Sequence, residues 1–460
     1  MKIAFINISL RPDSKRRQLP VGLAYVMTAA GKAGFGFDLI DMDINNLGMQ
    51  DLERIASGGK YDVYAMGCIV TGFRLVRQIS EVIKKNSPAA VIIAGNSVAT
   101  SIPELLLEHT KVDIAVIGEA DITIVELLKA LDSKKPMSGV KGIAFKENGR
   151  VVCTQKQPII PDLDTVGFPD WDIFELDKYE KYASINVNNF SGDEILSYPL
   201  NFARGCPFSC TFCYHVFKGE KYRRYSEDAC IEEMKRLHSK YSCDFISFWD
   251  ELTFPSLKSV EDMVRKIKKL DFKITWQATV RGDLFKTKDL DLVKAMKESG
   301  CDNVGFSLEN ADPDILKAIN KKISVSNVIE QAKVLWQGGV VPITSVIFGY
   351  PQETPASIRR TVEVCEECRM YPSSGFLLPL PGTQVYEWAK ANGHITNDVE
   401  YLERIGDRQD FHINLTGMPD DEFVSLVENE LRALSVRLGL KLDSVFKTVT
   451  YQKPKDSLTK

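Results

Sequence analysis

The chain has 460 residues, too many for one ordinary hydrophobic core and enough for two or three domains. It is 44% hydrophobic and 26% charged, with a formal net charge of −4, so it offers no broad basic surface for nucleic acid; the basic runs at 15–17 and 221–224 are short. The opening residues lack the long apolar core of a secretory leader, no apolar run is long enough to span a bilayer, and ten cysteines then point to a reducing cytoplasm where clustered thiols bind metal or do redox chemistry.

Residues 1–140 alternate strand and helix. Apolar strand patterns fall at 2–6, 37–41, 62–69, 90–94 and 114–117, and helical periodicity falls at 19–32, 73–85, 103–109 and 120–131. This predicts an α/β domain with a doubly wound parallel sheet, whose ligands lie beyond the carboxyl ends of the strands. Residues 141–195 read as a connector, with a hairpin over 141–152 turning at Asn148-Gly149 and then a proline-rich stretch. A second βα series occupies 196–400, with strands expected at 198–202, 245–249, 275–279, 303–308, 343–348 and 376–380. Six such units predict a partial (β/α)6 barrel with its functional residues just after the strand ends. Residues 401–460 read as a small helical cap, in which 420–438 is amphipathic.

Directly after the first strand of the second series stands Arg204-Gly205-Cys206-Pro-Phe-Ser-Cys210-Thr-Phe-Cys213-Tyr-His215. Three thiolates can hold three irons of a [4Fe–4S] cube, which leaves one iron open for chemistry. Zinc is the alternative; it wants a fourth Cys or His, and His215 is the candidate. The CxxxCxxC spacing behind a strand fits the cluster better. Cys365 and Cys368 fall in a helical pattern and read as packing residues.

The loop resembles that of the radical S-adenosylmethionine (SAM) superfamily, CxxxCx-aromatic-C, with Phe212 as the aromatic. The resemblance implies that SAM chelates the open iron and is reductively cleaved to a 5′-deoxyadenosyl radical, with an external reductant such as flavodoxin or ferredoxin supplying the electron. It further implies SAM-binding roles for Asp250 and Glu251 after the second barrel strand, where the usual Gly-Gly-Glu is absent, and for Arg281, for Ser307 and Glu309 in Gly-Phe-Ser-Leu-Glu, and for Tyr350 in Gly-Tyr-Pro-Gln-Glu-Thr. Each alone has a structural alternative; their order behind successive strands is the argument.

The first domain carries no GxGxxG. It could bind a nucleotide, bind cobalamin or only recognise substrate. Its strand-end segments resemble those of cobalamin-binding domains, and this implies cobalamin contacts from Leu19, Thr71, Gly95, Asn96, Thr100, Gly118 and Glu119. Glycines at 95 and 118 suit close backbone approach to a long ligand. The DxHxxG motif is missing and His109, the domain's only histidine, reads as a surface residue, so a bound cobalt should lack a histidine ligand. Together these features resemble the cobalamin-binding radical SAM group. Membership implies methylation of an unactivated carbon of a small-molecule substrate through methylcobalamin. The alternatives are a non-methylating radical reaction such as cyclisation or ring contraction, and a non-catalytic sensor.

Overall fold

The computed structural model describes residues 1–12, 17–180, 197–440, 442 and 445–446. The basic residues at 15–16, the end of the expected connector at 181–196 and the tail from 447 lie outside the described residues.

Strands β1 (Ile3–Asn7), β2 (Phe37–Asp41), β3 (Val63–Gly67), β4 (Val91–Gly95) and β5 (Ile114–Val116) form a parallel sheet in the order β2-β1-β3-β4-β5. All five residues of β1 are buried because helices cover both faces. Ile3 and Phe5 share a core with Ala24, Met27 and Leu127 of the helices Val21–Lys32 and Ala120–Asp132. Ala4 and Ile6 share another with Leu52, Val76 and Ile79 of the helices Met49–Ser57 and Phe73–Asn86. The predicted hairpin forms, as β6 (Ile143–Glu147) and β7 (Arg150–Cys153), but it does not stand apart as a linker. It pairs antiparallel onto β5 and extends the first sheet to seven strands. Ile143 and Phe145 are buried in the core on one face of that sheet and Ala144 in the core on the other.

The second sheet starts at β8 (Ser197–Leu200). A short antiparallel ladder, β9 (Ala203–Arg204) with β10 (Arg223–Arg224), follows it. Then come β11 (Phe245–Phe248), β12 (Thr275–Thr279), β13 (Cys301–Glu309), β14 (Val341–Phe348) and β15 (Ser373–Phe376), all parallel, in the order β15-β14-β13-β12-β11-β8. Burial alternates along the strands: on β14, Val341, Ile343, Ser345 and Ile347 are half-buried while Pro342, Thr344, Val346 and Phe348 are buried. The half-buried rows face a lumen and the buried rows pack beneath helices, as the two-residue period of a strand requires. Trp276, Phe248 and Phe254 form one aromatic layer of that outer core, with ring centroids 6.0–6.3 Å apart.

The last strand differs from its prediction. It runs from Ser373 to Phe376 rather than over 376–380. Ser-Ser-Gly has low strand propensity, but pairing of Ser373 through Phe376 with Ser345 through Phe348 overrides it, and Pro379 and Pro381 lie beyond. The amphipathic helix forms over Asp420–Arg437 and buries Phe423, Val427, Leu431 and Leu434 on one face, Phe423 against Phe376 of β15. No helix among the described residues is long and apolar enough to cross a membrane.

Candidate active site

The three clustered cysteines lie on one loop, Gly205 to Tyr222, whose neck is the β9–β10 ladder. Arg204 and Arg223 are directly opposite each other in that ladder. Both reach one carboxylate. Arg204 Nη1 donates to Glu119 Oε1 at 2.6 Å, and Arg223 Nη1 donates to Oε1 and Oε2 at 2.9 and 3.0 Å. Arg204 also holds Asp121 at 2.7 and 3.0 Å, and the Ile160 N–H donates to Glu119 Oε2 at 2.8 Å. All these side chains are 4–10% exposed. Glu119 follows β5 of the first sheet, so the buried ion cluster ties that strand end to both ends of the cysteine loop. Glu119 was expected to contact cobalamin; instead its oxygens are turned inward and fully used.

Cys206 and Cys210 are half-buried, Cys213 is exposed, and all three are free thiols. Burial raises each thiol, and neighbouring thiols add to it at Cys206 and Cys213: Cys213 is pushed up to about 11 by burial and then by Cys210, Glu309 and Cys206. The thiols thus lie near one another on the same loop. Among the described residues no three His, Cys, Asp or Glu side chains converge as ligands of a single ion. A cube distributes its thiolates over separate irons, so a donor set of three thiols on one loop fits a cluster better than a mononuclear zinc. His215 Nδ1 is buried without a partner among the described residues.

The barrel-end residues named from the sequence gather around this loop, in three different ways. Asp250 Oδ1 accepts from the Phe202 and Ala203 N–H groups at 2.9 and 3.0 Å, while its Oδ2 is buried and unpartnered; burial pushes its carboxyl up to about 7. That orphan oxygen is the kind of group an ammonium would satisfy. Glu251 is exposed, and accepts from the Gly205 N–H at 3.2 Å. Glu309 stands at φ 63° where the β13–β14 register shifts, and pairs with Lys321 at 2.8 Å; a non-glycine residue held there is strained. Ser307 accepts from Ser345 Oγ in the lumen at 2.9 Å. Arg281 and Tyr350 are differently placed from expectation. The Arg281 guanidinium lies 3.8 Å over the Phe208 ring, pairs with Asp283 and donates to the Lys321 carbonyl, so it braces the cysteine loop. Tyr350 is fully buried, edge-on to Phe212 at 6.0 Å.

Glu353 lies behind Tyr350. Its Oε2 accepts from the Gly349 and Tyr350 N–H groups and its Oε1 from Asn310 Nδ2, and so it fixes the turn after β14. Glu353, Lys321 and Arg204 build the site without having been among its expected residues. The Glu of Gly-x-Pro-x-Glu-Thr and the paired arginines flanking the loop were the available signals.

On the first sheet, Asn96 (φ 67°), Thr100 and Gly118 (φ 77°) meet at the strand ends: Thr100 Oγ1 donates to the Asn96 carbonyl at 2.9 Å and accepts from the Gly118 N–H at 3.0 Å. No atom lies within 4 Å of where a Gly118 Cβ would stand. Gly95 is half-buried beside them, and Thr71 half-buried in the turn that follows β3. Leu19 is instead a core residue, 7% exposed, because the chain enters the first helix through it. His109 is exposed at the end of the helix Pro103–His109, which returns to the amino end of β5, away from this edge. Leu10 and Ile69 are exposed at the strand ends here, at 40% and 45%. A small-residue cradle with exposed apolar groups and no histidine suits a large, mostly neutral ligand such as cobalamin.

The two edges face each other. Arg11, after β1, pairs with Asp407 of the C-terminal region at 2.7 Å, and Glu119 with Arg204 as above.

Comparison with known proteins agrees with this layout. The model of the B12 binding domain matches residues 14–128, and that of the Radical SAM superfamily matches residues 200–365. An uncharacterised methyltransferase of Pyrococcus horikoshii is 29% identical, over 81% of this chain and 79% of its own. The anaerobic magnesium-protoporphyrin IX monomethyl ester cyclase of Rubrivivax gelatinosus is 27% identical over 74% of this chain, which spans 62% of the cyclase. Among solved structures, the radical SAM methyltransferase TsrM of Kitasatospora setae, with cobalamin and a [4Fe–4S] cluster bound, superposes with a TM-score of 0.72 over 94% of this chain and 88% of its own, at 15% identity. With a B12-binding sheet and a radical SAM half-barrel joined in one chain, this protein carries the two domains of the cobalamin-binding radical SAM enzymes.

Proposed function

We propose that the chain is a cobalamin-dependent radical SAM methyltransferase acting on an unactivated carbon of a small molecule. The observation that carries this reading is the opposition of two strand-end edges, one bearing three thiols and the other an open glycine-lined cradle. In this reading Cys206, Cys210 and Cys213 hold a [4Fe–4S] cluster, and Asn96, Thr100, Gly95 and Gly118, with Thr71, receive cobalamin without a histidine ligand. When bound, these groups supply reductive cleavage of SAM and a transferable methyl group.

The chain's own residues do the rest. Asp250 Oδ2 accepts from the SAM ammonium while Oδ1 keeps the strand before the cysteine loop in place. Glu251 and Arg281 hold the loop's shape through the Gly205 N–H and the Phe208 ring. Glu309 and Ser307 line the wall on which SAM lies, and Tyr350 with Phe212 closes it. The buried Glu119–Arg204–Arg223 cluster fixes the distance between the edges. An external reductant such as flavodoxin or ferredoxin supplies the electron. We place the protein in the cytoplasm, where free thiols stay reduced.

The test is product analysis of the anaerobic protein, reconstituted with iron, sulfide and cobalamin, given SAM and a reductant. Release of both S-adenosylhomocysteine and 5′-deoxyadenosine supports methyl transfer. Deoxyadenosine alone supports a non-methylating radical reaction, the chemistry to which the cyclase likeness points. Release of neither would leave a sensor.

A further inference from the structure

The half-barrel is open beside its last strand, β15, and the C-terminal region covers that side. There the Phe376 N–H donates to the Arg408 carbonyl at 2.7 Å, and the Arg408 side chain crosses Gly375. Glycine is needed: a Cβ at 375 would come within 2.8 Å of the Arg408 carbonyl oxygen and 3.0 Å of its Cγ. Gly375 is level with Ile347, a lumen-facing residue, so Arg408 enters the lumen rather than the outer core. Its Nη2 donates to Ser373 Oγ at 3.0 Å. Ser373 is in register with Ser345, and Ser345 with Ser307. A row of three serine hydroxyls thus crosses the lumen with a guanidinium at its end.

The charges around that guanidinium are already taken. Glu309 and Asp407 are the two acids that act on it most strongly. Each has a cation of its own: Lys321 on Glu309 at 2.8 Å and Arg11 on Asp407 at 2.7 Å. Among the described residues the one hydrogen-bond partner of the Arg408 side chain is a neutral hydroxyl. A guanidinium has five N–H donors and recognises planar or tetrahedral oxyanions in a forked geometry. Burial pulls Arg408 below the usual arginine range, against the pull of Glu309 and Asp407, as expected of a cation held out of water without a close anion.

We propose that Arg408, with Ser373 and Ser345, forms a substrate subsite that binds an anionic group, a carboxylate or a phosphate-type oxyanion of the small molecule to be modified. This deepens the proposed function, since it names the substrate class of the same lumen. It also excludes a wholly apolar substrate from that position. The carboxylate of SAM has the same chemistry, and the experiment separates the two sources.

Acetate, inorganic phosphate and methylphosphonate are titrated calorimetrically into the full-length reconstituted protein at constant ionic strength, for wild type, R408Q, R408K and S373D. At least one probe should saturate on wild type. R408Q should weaken it about tenfold or more, and R408K less, because lysine keeps the charge without the fork. S373D keeps Arg408 but sets a carboxylate against it, and should abolish probe binding even where R408Q fails to fold. No saturable probe on wild type, or equal affinity in wild type and S373D, would overturn the subsite. A parallel tenfold loss of SAM affinity in R408Q would assign the guanidinium to SAM and overturn it as well. Failure of the underlying function reads separately, as absence of deoxyadenosine from wild type, which these titrations do not require.

Discussion

At the carboxyl edge of the first sheet the groups on offer are backbone and small side chains, Gly95, Asn96, Thr100 and Gly118, with Leu10 and Ile69 exposed beside them. At the corresponding edge of the second sheet they are thiols, carboxylates and cations: the three cysteines, Asp250, Glu251, Glu309, Lys321 and Arg281. The first sheet is parallel from β1 to β5 and the second throughout, and both present these groups at the carboxyl end of their strands. The contrast is in what the ends carry. The first edge is shaped for a broad, largely neutral surface held by shape; the second is shaped for small charged groups held by ion pairs and hydrogen bonds. Between them lies a buried ionic tie, Glu119 with the two arginines, so the edges are chemically distinct and mechanically joined.

That contrast can be broken from either side. Replacing Cys206, Cys210 and Cys213 by alanine should remove the cluster's visible absorbance and all deoxyadenosine release while cobalamin still binds. Loss of cobalamin binding as well would mean that the edges do not act as separate sites. Glu119→Ala leaves buried Arg223 without its carboxylate and Arg204 with Asp121 alone, and should lower the unfolding free energy by roughly 3–5 kcal/mol in a denaturant titration. A change under about 1 kcal/mol would mean that the ionic tie does not join the sheets.

The pH response should also divide the edges. Burial holds the Glu353 carboxyl protonated up to about 7, against 4.5 for an unburied glutamate, so the folded chain keeps a proton that the unfolded chain has lost. Its stabilising contribution is full below about pH 4.5 and is lost as pH rises through about 7. The slope should be no more than about 1.4 kcal/mol per pH unit, and Glu353→Gln should flatten it. Cobalamin affinity should not follow that profile. The smallest expected effect is at Gly118, where alanine brings a Cβ to φ 77° and into the open cradle; cobalamin should bind about tenfold more weakly while the cluster is unaffected.

Much of this was legible in the sequence because it rests on local pattern. The cysteine spacing, the five parallel strands of the first sheet, the barrel strands through β14 and the amphipathic face of Asp420–Arg437 all follow from periodicity and short motifs. What was not legible depends on partners far apart in the chain. Glu119 read as a cobalamin contact because its strand-end segment resembles those of cobalamin-binding domains, but Arg204 and Arg223, 85 and 104 residues on, claim its oxygens. Arg281 read as a SAM contact, yet the Phe208 ring and the Lys321 carbonyl hold it. Leu19 read as a site residue and is core. The final strand was displaced because Ser373-Ser374-Gly375 looks like a turn until β14 pairs with it. Arg408 carries no motif; its place is visible only once Gly375 and Ser373 lie beneath it.

The central claim is that one chain carries a cluster and a corrin on opposed edges. The most direct test is the metal content and visible spectrum of the protein purified without oxygen and supplied with iron, sulfide and cobalamin. The account predicts about four irons and one cobalamin per chain, with the iron lost and the cobalamin kept in the triple cysteine variant. Zinc in place of iron, or a spectrum with no retained corrinoid, would contradict it.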